Sequence, residues 1–178
     1  MEMTGERMLP VDRVTAWHAL NDPQLLQRAI PGCESLRAGA AGGYDLVLTA
    51  ALGPVKARFK GSMTLADVMA PESYTIRFEG QGGPAGFARG EAKVSLAQSG
   101  ARQTAVRFSV SAQIGGRLAQ VGSRLIDAAA GAMADQFFGS FSVLLAGEGA
   151  AAAAAASAKP GFWTLVRAFV RRLFGTRV

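Results

Sequence analysis

The chain has 178 residues, 49% of them hydrophobic, which is enough for one domain with a sizeable core. Its net charge of +6 is unevenly placed: residues 1–158 carry fourteen Lys and Arg against thirteen Asp and Glu, whereas residues 159–178 carry five basic residues and no acidic one. A near-neutral body argues against a nucleic-acid binder, the single cysteine excludes an internal disulfide framework, and an N-terminus holding Glu2 and Glu6 with no apolar run is not a secretory signal.

An opening strand is expected before Asp12, which can cap a helix through Val14, Trp17 and Leu20 that Asn21, Asp22 and Pro23 stop. A second short helix spans 24–29 and ends at Ile30-Pro31-Gly32. Strands follow. A weak one runs over 44–50. Over 55–65 the odd positions Val55, Ala57, Phe59, Gly61, Met63 and Leu65 alternate with Lys56, Arg58, Lys60, Ser62 and Thr64, giving one buried and one wet face. Tyr74, Ile76 and Phe78 alternate with polar residues, as do Val94 and Leu96, and Thr104, Val106, Phe108 and Val110. Turn signals at Gly53-Pro54, Ala70-Pro71-Glu72 and Ser99-Gly100 put these strands in hairpin order. After Gly115-Gly116 a long helix is predicted over 117–145, its stripe being Leu118, Val121, Leu125, Ala129, Met133, Phe137, Phe141 and Leu144. The order implies an α+β fold, a curved antiparallel sheet wrapped around the long helix.

The inward face mixes small residues (Ala57, Gly61, Ala88, Gly90, Ala92, Ala112) with Phe59, Met63, Phe78 and Phe108. Two outcomes fit this composition: close packing of helix on sheet, or an apolar cavity for a flat, lipophilic ligand. If a cavity forms, alternation assigns Leu46, Leu48, Phe59, Met63, Ile76, Phe78, Phe87 and Phe108 to it from the strands. The helix would add Leu118, Val121, Gly122 and Leu125.

Catalytic chemistry is sparse. The only histidine, His18, reads as a surface or half-buried residue. Cys33 has no second sulfur or nearby histidine for a metal site or thiol pair. Asp127 and Asp135, eight apart, are expected to face solvent. The glycine-rich segment 80–90 lacks the Gly-Lys-Ser/Thr ending of a phosphate loop and precedes a strand, which favours a bulged or mobile hairpin. The expectation is a non-enzyme with no metal and no bound prosthetic group.

Residues 148–161 contain seven consecutive alanines closed by Lys159-Pro160-Gly161, so they read as a flexible linker between a body (1–147) and a C-terminal segment (162–178). On a helical wheel, Phe162, Trp163, Leu165, Val166, Phe169, Val170, Leu173 and Phe174 fill one half, and Arg167, Arg171 and Arg172 lie on the other. Some thirteen helical residues rise roughly 20 Å, too little to cross the ~30 Å hydrocarbon core. They suit an interfacial helix on an anionic inner leaflet, or an apolar stripe docked on a protein. The predicted location is cytoplasmic and peripheral to the inner face of the cell membrane.

Particular stretches carry a family likeness: 10–23 (PVDRVTAWHALNDP), 30–34 (IPGCE), 53–61 (GPVKARFKG), 83–90, 113–126 (QIGGRLAQVGSRLI) and 135–138 (DQFF). In this order they resemble the CoxG family of carbon monoxide dehydrogenase, within the START-like (SRPBCC) helix-grip superfamily, over about residues 1–145. The resemblance implies a non-catalytic accessory protein for a molybdenum-containing CO dehydrogenase-type hydroxylase, one that attaches it to the membrane and supplies menaquinone or ubiquinone as acceptor. It implies no quinone contacts residue by residue. A purely structural membrane-recruitment adaptor, or an enzyme of the same superfold, are the competing functions. A monomer is expected.

Overall fold

A computed structural model describes residues 1–39, 42–52 and 55–157, and side chains there except at 52 and from 148 onward. The elements run β1 (Glu2–Leu9), α1 (Arg13–Leu20), α2 (Pro23–Ala29), β2 (Cys33–Ala38), β3 (Tyr44–Leu52), β4 (Val55–Met69), β5 (Ser73–Gln81), β6 (Phe87–Gly100), β7 (Gln103–Gly115) and α3 (Ser123–Ser157), with single 3-10 turns at Gly83–Ala85 and Gly116–Val121. All seven strands form one antiparallel sheet in the order β1-β7-β6-β5-β4-β3-β2. The expected α+β helix-grip architecture is present. The chain forms two compact units, Met1–Ala146 and Gly147–Val178.

Local chemistry sets the connections. Asp12 caps α1 by accepting from the Thr15 amide (3.0 Å) and hydroxyl (2.7 Å). Asp22 caps α2 by accepting from the Gln24 and Leu25 amides, with Pro23 at the first helical position, where no amide donor is needed. The chain then turns at Ile30-Pro31-Gly32. Gly32 has φ of +70°, and a Cβ there would collide with the Thr49 carbonyl.

β2 is an edge strand that periodicity does not reveal: Cys33–Ala38 is short, and a bulge between Cys33 and Ser35 breaks its alternation. The long helix also departs from expectation. Residues Gly116–Val121 form a 3-10 turn, Gly122 adopts φ of +93°, and α3 starts at Ser123. The inward stripe of α3 runs through buried Ile126, Phe141 and Leu145 and half-buried Ala130, Met133 and Phe137, so the expected stripe holds from Met133 to Phe141 and departs before it. Leu125 is 39% exposed. By length and composition Ser123–Gly147 could cross a membrane, yet its aromatic stripe joins the core against the sheet.

The core is densest at one end of the grip, where Leu9, Ala16, Trp17, Leu20, Val106, Phe141 and Leu145 meet. Thr104, fully buried, donates to the Val11 carbonyl at 2.8 Å and ties β7 to the chain entering α1. Asp135 of α3 pairs with Arg7 on β1, whereas Asp127 and His18 are exposed. Cys33 is half-buried, and burial pushes its thiol up from the usual range. Segment 82–86 is a turn built on the 3-10 residues Gly83–Ala85, with no bulge in the strand register beside it, and its Gly86 packs on Gly115 and Gly116.

Candidate functional site: an apolar cavity in the grip

Strand register places inward side chains in rungs. Leu65, Ile76, Ala92, Val110 and Met3 form one rung across β4, β5, β6, β7 and β1. Tyr74, Val94 and Phe108 form the next one towards the packed end. Opposite them lie Ala130, Met133, Ala134, Phe137 and Phe138 of α3, and Leu20, Leu26, Ile30 and Pro31 close a side. These surfaces do not meet completely. Between them is a cavity of about 420 Å³, within the ~300–1,000 Å³ range of small-molecule sites.

Its lining is nearly all hydrocarbon, sulfur and aromatic ring. Three lining residues, Asn21, Tyr44 and Tyr74, carry polar side chains, and among the described residues no Asp, Glu, Lys, Arg, His or Cys lines it. Phe108 stacks on Phe138 (centroids 5.4 Å, 17° between planes), and Phe137 stands edge-on to Phe138 (5.0 Å, 75°). Flat aromatic walls favour a flat guest. Small residues open the space in two ways. Ala92, Ala130 and Ala134 leave volume directly. The missing side chain at Gly5 admits the Phe108 ring, which would strike a Cβ there.

The other inward glycines serve the backbone. A Cβ at Gly90 would press on the Ser111 carbonyl, and one at Gly61 on the Glu79 carbonyl. These positions let strands approach closely where the sheet coils. Of the two readings the composition allows, each holds in its own place: close approach at Gly61 and Gly90, and cavity at Ala92 and Ala134.

Among the sequence-derived candidates, Met63, Ile76 and Phe108 come together in the cavity wall. Leu46, Leu48 and Phe78 share the inward face but lie beyond the wall: Leu46 pairs with Gly61, Leu48 with Phe59, and Phe78 stands one rung past Ile76. Phe59 packs its ring on Gly82. Phe87 belongs to the opposite face. It shares parity with Arg89 and Glu91, lies over Gly115, and the Arg89 guanidinium sits 5.8 Å from its ring centre. Leu118 is buried within the 3-10 turn and lines no part of the cavity. Val121, Gly122 and Leu125 also fall outside it, because the break at Gly122 turns that segment away. The membrane-binding candidates Phe162, Trp163, Leu165, Val166, Arg167, Phe169, Val170, Arg171, Arg172, Leu173 and Phe174 lie outside the described residues.

Sequence reasoning misses the side supplied by Leu20, Leu26, Ile30 and Pro31, since two short helices carry no mark of which strand face they cover. It also misses Tyr44 and Tyr74 as lining residues, although alternation places Tyr74 inward. Ile30 and Pro31 additionally border a shallow polar groove outside, shared with Gln136 and Ser140 of α3. That thin turn separates the interior from solvent.

Residues 5–146 match the carbon monoxide dehydrogenase G-subunit (CoxG) family. The chain belongs to the CoxG family. No curated protein matches it. Among solved structures, a conserved protein from Geobacillus kaustophilus is similar at TM-score 0.78 and 27% identity, covering 82% of this chain and 95% of that one. A START superfamily protein from Mycobacterium smegmatis is similar at TM-score 0.61 and 11% identity, covering 81% and 96%. The Zhui aromatase/cyclase from Streptomyces sp. R1128 has TM-score 0.61 and 9% identity, covering 82% and 93%. The last two identities are low enough that the likeness is one of fold. The START-like helix grip is thus shared widely, and this CoxG chain places its cavity where the grip meets the first half of α3.

Proposed function

We propose that this CoxG protein is a non-catalytic accessory protein that carries a lipophilic ligand, a respiratory quinone of the menaquinone or ubiquinone type, in the cavity of the grip. In this reading it links a molybdenum-containing CO dehydrogenase-type enzyme to the cytoplasmic membrane. The observation that carries the reading is the cavity: about 420 Å³, walled by stacked aromatics and methionines, with no acid, base or thiol among its lining residues. Such a wall binds by area, at about 25 cal/mol per Å² of apolar surface removed from water. It offers no general acid–base pair, although the aromatase/cyclase neighbour means that the fold itself does not decide against catalysis.

Membership of a family named for carbon monoxide dehydrogenase supports the partner. The quinone follows from what such a partner requires. A largely isoprenoid acceptor is costly to move through water, so a water-soluble enzyme needs a carrier or direct membrane contact. Residues 162–178 supply the membrane half of the proposal through Arg167, Arg171 and Arg172 and the apolar stripe from Phe162 to Phe174.

The test is uptake from a membrane. The full chain is mixed with phosphatidylglycerol vesicles containing menaquinone, the vesicles are removed, and the soluble chain is extracted and assayed by mass spectrometry. Menaquinone travelling with the soluble chain is expected. Chain that binds vesicles yet emerges empty would leave the structural adaptor as the function and end the carrier reading.

A further inference from the structure

The three polar side chains in the cavity wall are not equivalent. The Asn21 amide donates to the Trp17 carbonyl at 2.8 Å, which fixes that side chain at the end of α1 with one of its two N–H groups engaged. The Tyr44 hydroxyl donates to the Asn21 carbonyl at 3.1 Å, which commits that proton too. Tyr74 differs. It is 5% exposed and lines the cavity, yet its hydroxyl makes no hydrogen bond among the described residues. Nor is that oxygen sealed in protein, because no fully buried side-chain oxygen or nitrogen lacks a partner among the described residues. A buried tyrosine whose oxygen keeps some open surface, on a residue that lines the cavity beside Tyr44, is placed to offer its proton there.

We propose that Tyr74 is the head-group anchor of this site, donating a hydrogen bond to a ring carbonyl of the carried ligand. This rests on the carrier reading above and names what that reading leaves open: which end of the ligand goes in, and what distinguishes a quinone from any other flat hydrocarbon. The ring is held for the task. Trp17 stands edge-on to it, with centroids 5.3 Å apart and planes at 77°, and Tyr74 is part of the buried core cluster. Little rotamer freedom is lost when a ligand binds a side chain already fixed. Burial, followed by the nearby Tyr44, pushes the phenol well above its usual range, so it remains a neutral donor throughout the physiological pH range.

The rest of the wall cannot provide direction. Val94, Val106, Phe108, Met133 and Phe137 would accept a quinone ring and a plain naphthalene about equally. An uncommitted donor in apolar surroundings discriminates more strongly. A ligand without an acceptor leaves it unpaired, and a ligand carbonyl satisfies it. The donor sits at the packed end of the grip, beside Trp17 and the α1 helix. The carbonyl ring therefore lies against Tyr74, and any isoprenoid tail extends away from it along the apolar wall.

Equilibrium dialysis of the full chain against menadione and 2-methylnaphthalene, which share one bicyclic skeleton, tests this directly. The ratio of menadione to 2-methylnaphthalene affinity is expected to be about tenfold higher in the wild type than in Tyr74→Phe, the worth of one net hydrogen bond to a buried donor. Tyr74→Phe should weaken menadione while 2-methylnaphthalene binds at least as well as before. An affinity ratio that is the same in the wild type and Tyr74→Phe would overturn the anchor and leave the apolar carrier intact. Binding of neither compound would bring down the carrier reading as well. Infrared spectra of menadione bound to the wild type need no variant: two carbonyl bands are expected, one lowered by the hydrogen bond. One unshifted band would contradict the proposal.

Discussion

Thr104 shows how much one buried atom decides in this fold. Its hydroxyl supplies the partner for the Val11 carbonyl at a position with no exposed surface. Thr104→Val keeps the shape and orphans that carbonyl, so urea unfolding should reveal a loss of about 1–3 kcal/mol in stability. Tyr74 makes a second prediction, read as pH dependence. Its phenol titrates higher in the folded chain than the ordinary value of 10.0. Above that pH the unfolded chain releases the proton and the folded chain holds it, so this contribution to stability is complete below pH 10 and declines as the pH rises further. Thermal melts between pH 8 and pH 11 should show the loss in the wild type and a shallower one in Tyr74→Phe. These residues are only partly legible in sequence. Alternation puts Tyr74 and Phe108 on the inward face. It cannot tell that the Tyr74 hydroxyl lacks a partner among the described residues, because that depends on the Trp17 and Asn21 carbonyls at the end of α1 being taken by Asn21 and Tyr44.

At the scale of elements, the strands and the inward stripe of the long helix from Met133 onward are readable, and the start of that helix is not. Strict alternation over 55–65 reports a period that survives into β4, with Met63 and Leu65 inward and Ser62 and Thr64 outward. The start of the long helix is misread, because apolar residues at three- and four-residue spacing continue back through Leu118 and Val121 across Gly122. Gly122, at φ of +93°, ends the 3-10 turn before α3, and within α3 Leu125 lies about 100° round from the buried Ile126 and so stays exposed. Phe87 fails for a related reason. It begins β6 directly after a 3-10 turn, where parity is set by the turn and not by the run of residues that follows. The glycines give a paired prediction. Gly90→Ala drives a methyl onto the Ser111 carbonyl and should destabilise the sheet by about 1–3 kcal/mol. Gly139→Ala, on the exposed side of α3 with open space around it, should stabilise by about 0.5–1 kcal/mol. Denaturant midpoints of the two variants should move in opposite directions.

For the whole molecule, the proposal divides labour between Met1–Ala146, which encloses the cavity, and the basic apolar segment near the C-terminus. Arginines near an anionic surface contribute about 1 kcal/mol each, so the attachment should be reversible and weaken with salt. Truncation after Ala146 should therefore abolish co-sedimentation with phosphatidylglycerol vesicles, and retained binding would move the membrane contact to the body. Carriage itself depends on the interior. It is best measured as the number of quinone molecules per chain after loading with menaquinone, compared between the wild type and Ala134→Trp, which places an indole in the cavity. About one per chain is expected in the wild type, and almost none in a variant that still melts cooperatively. Equal loading of the two, or a wild type that stays empty, would contradict carriage in the grip.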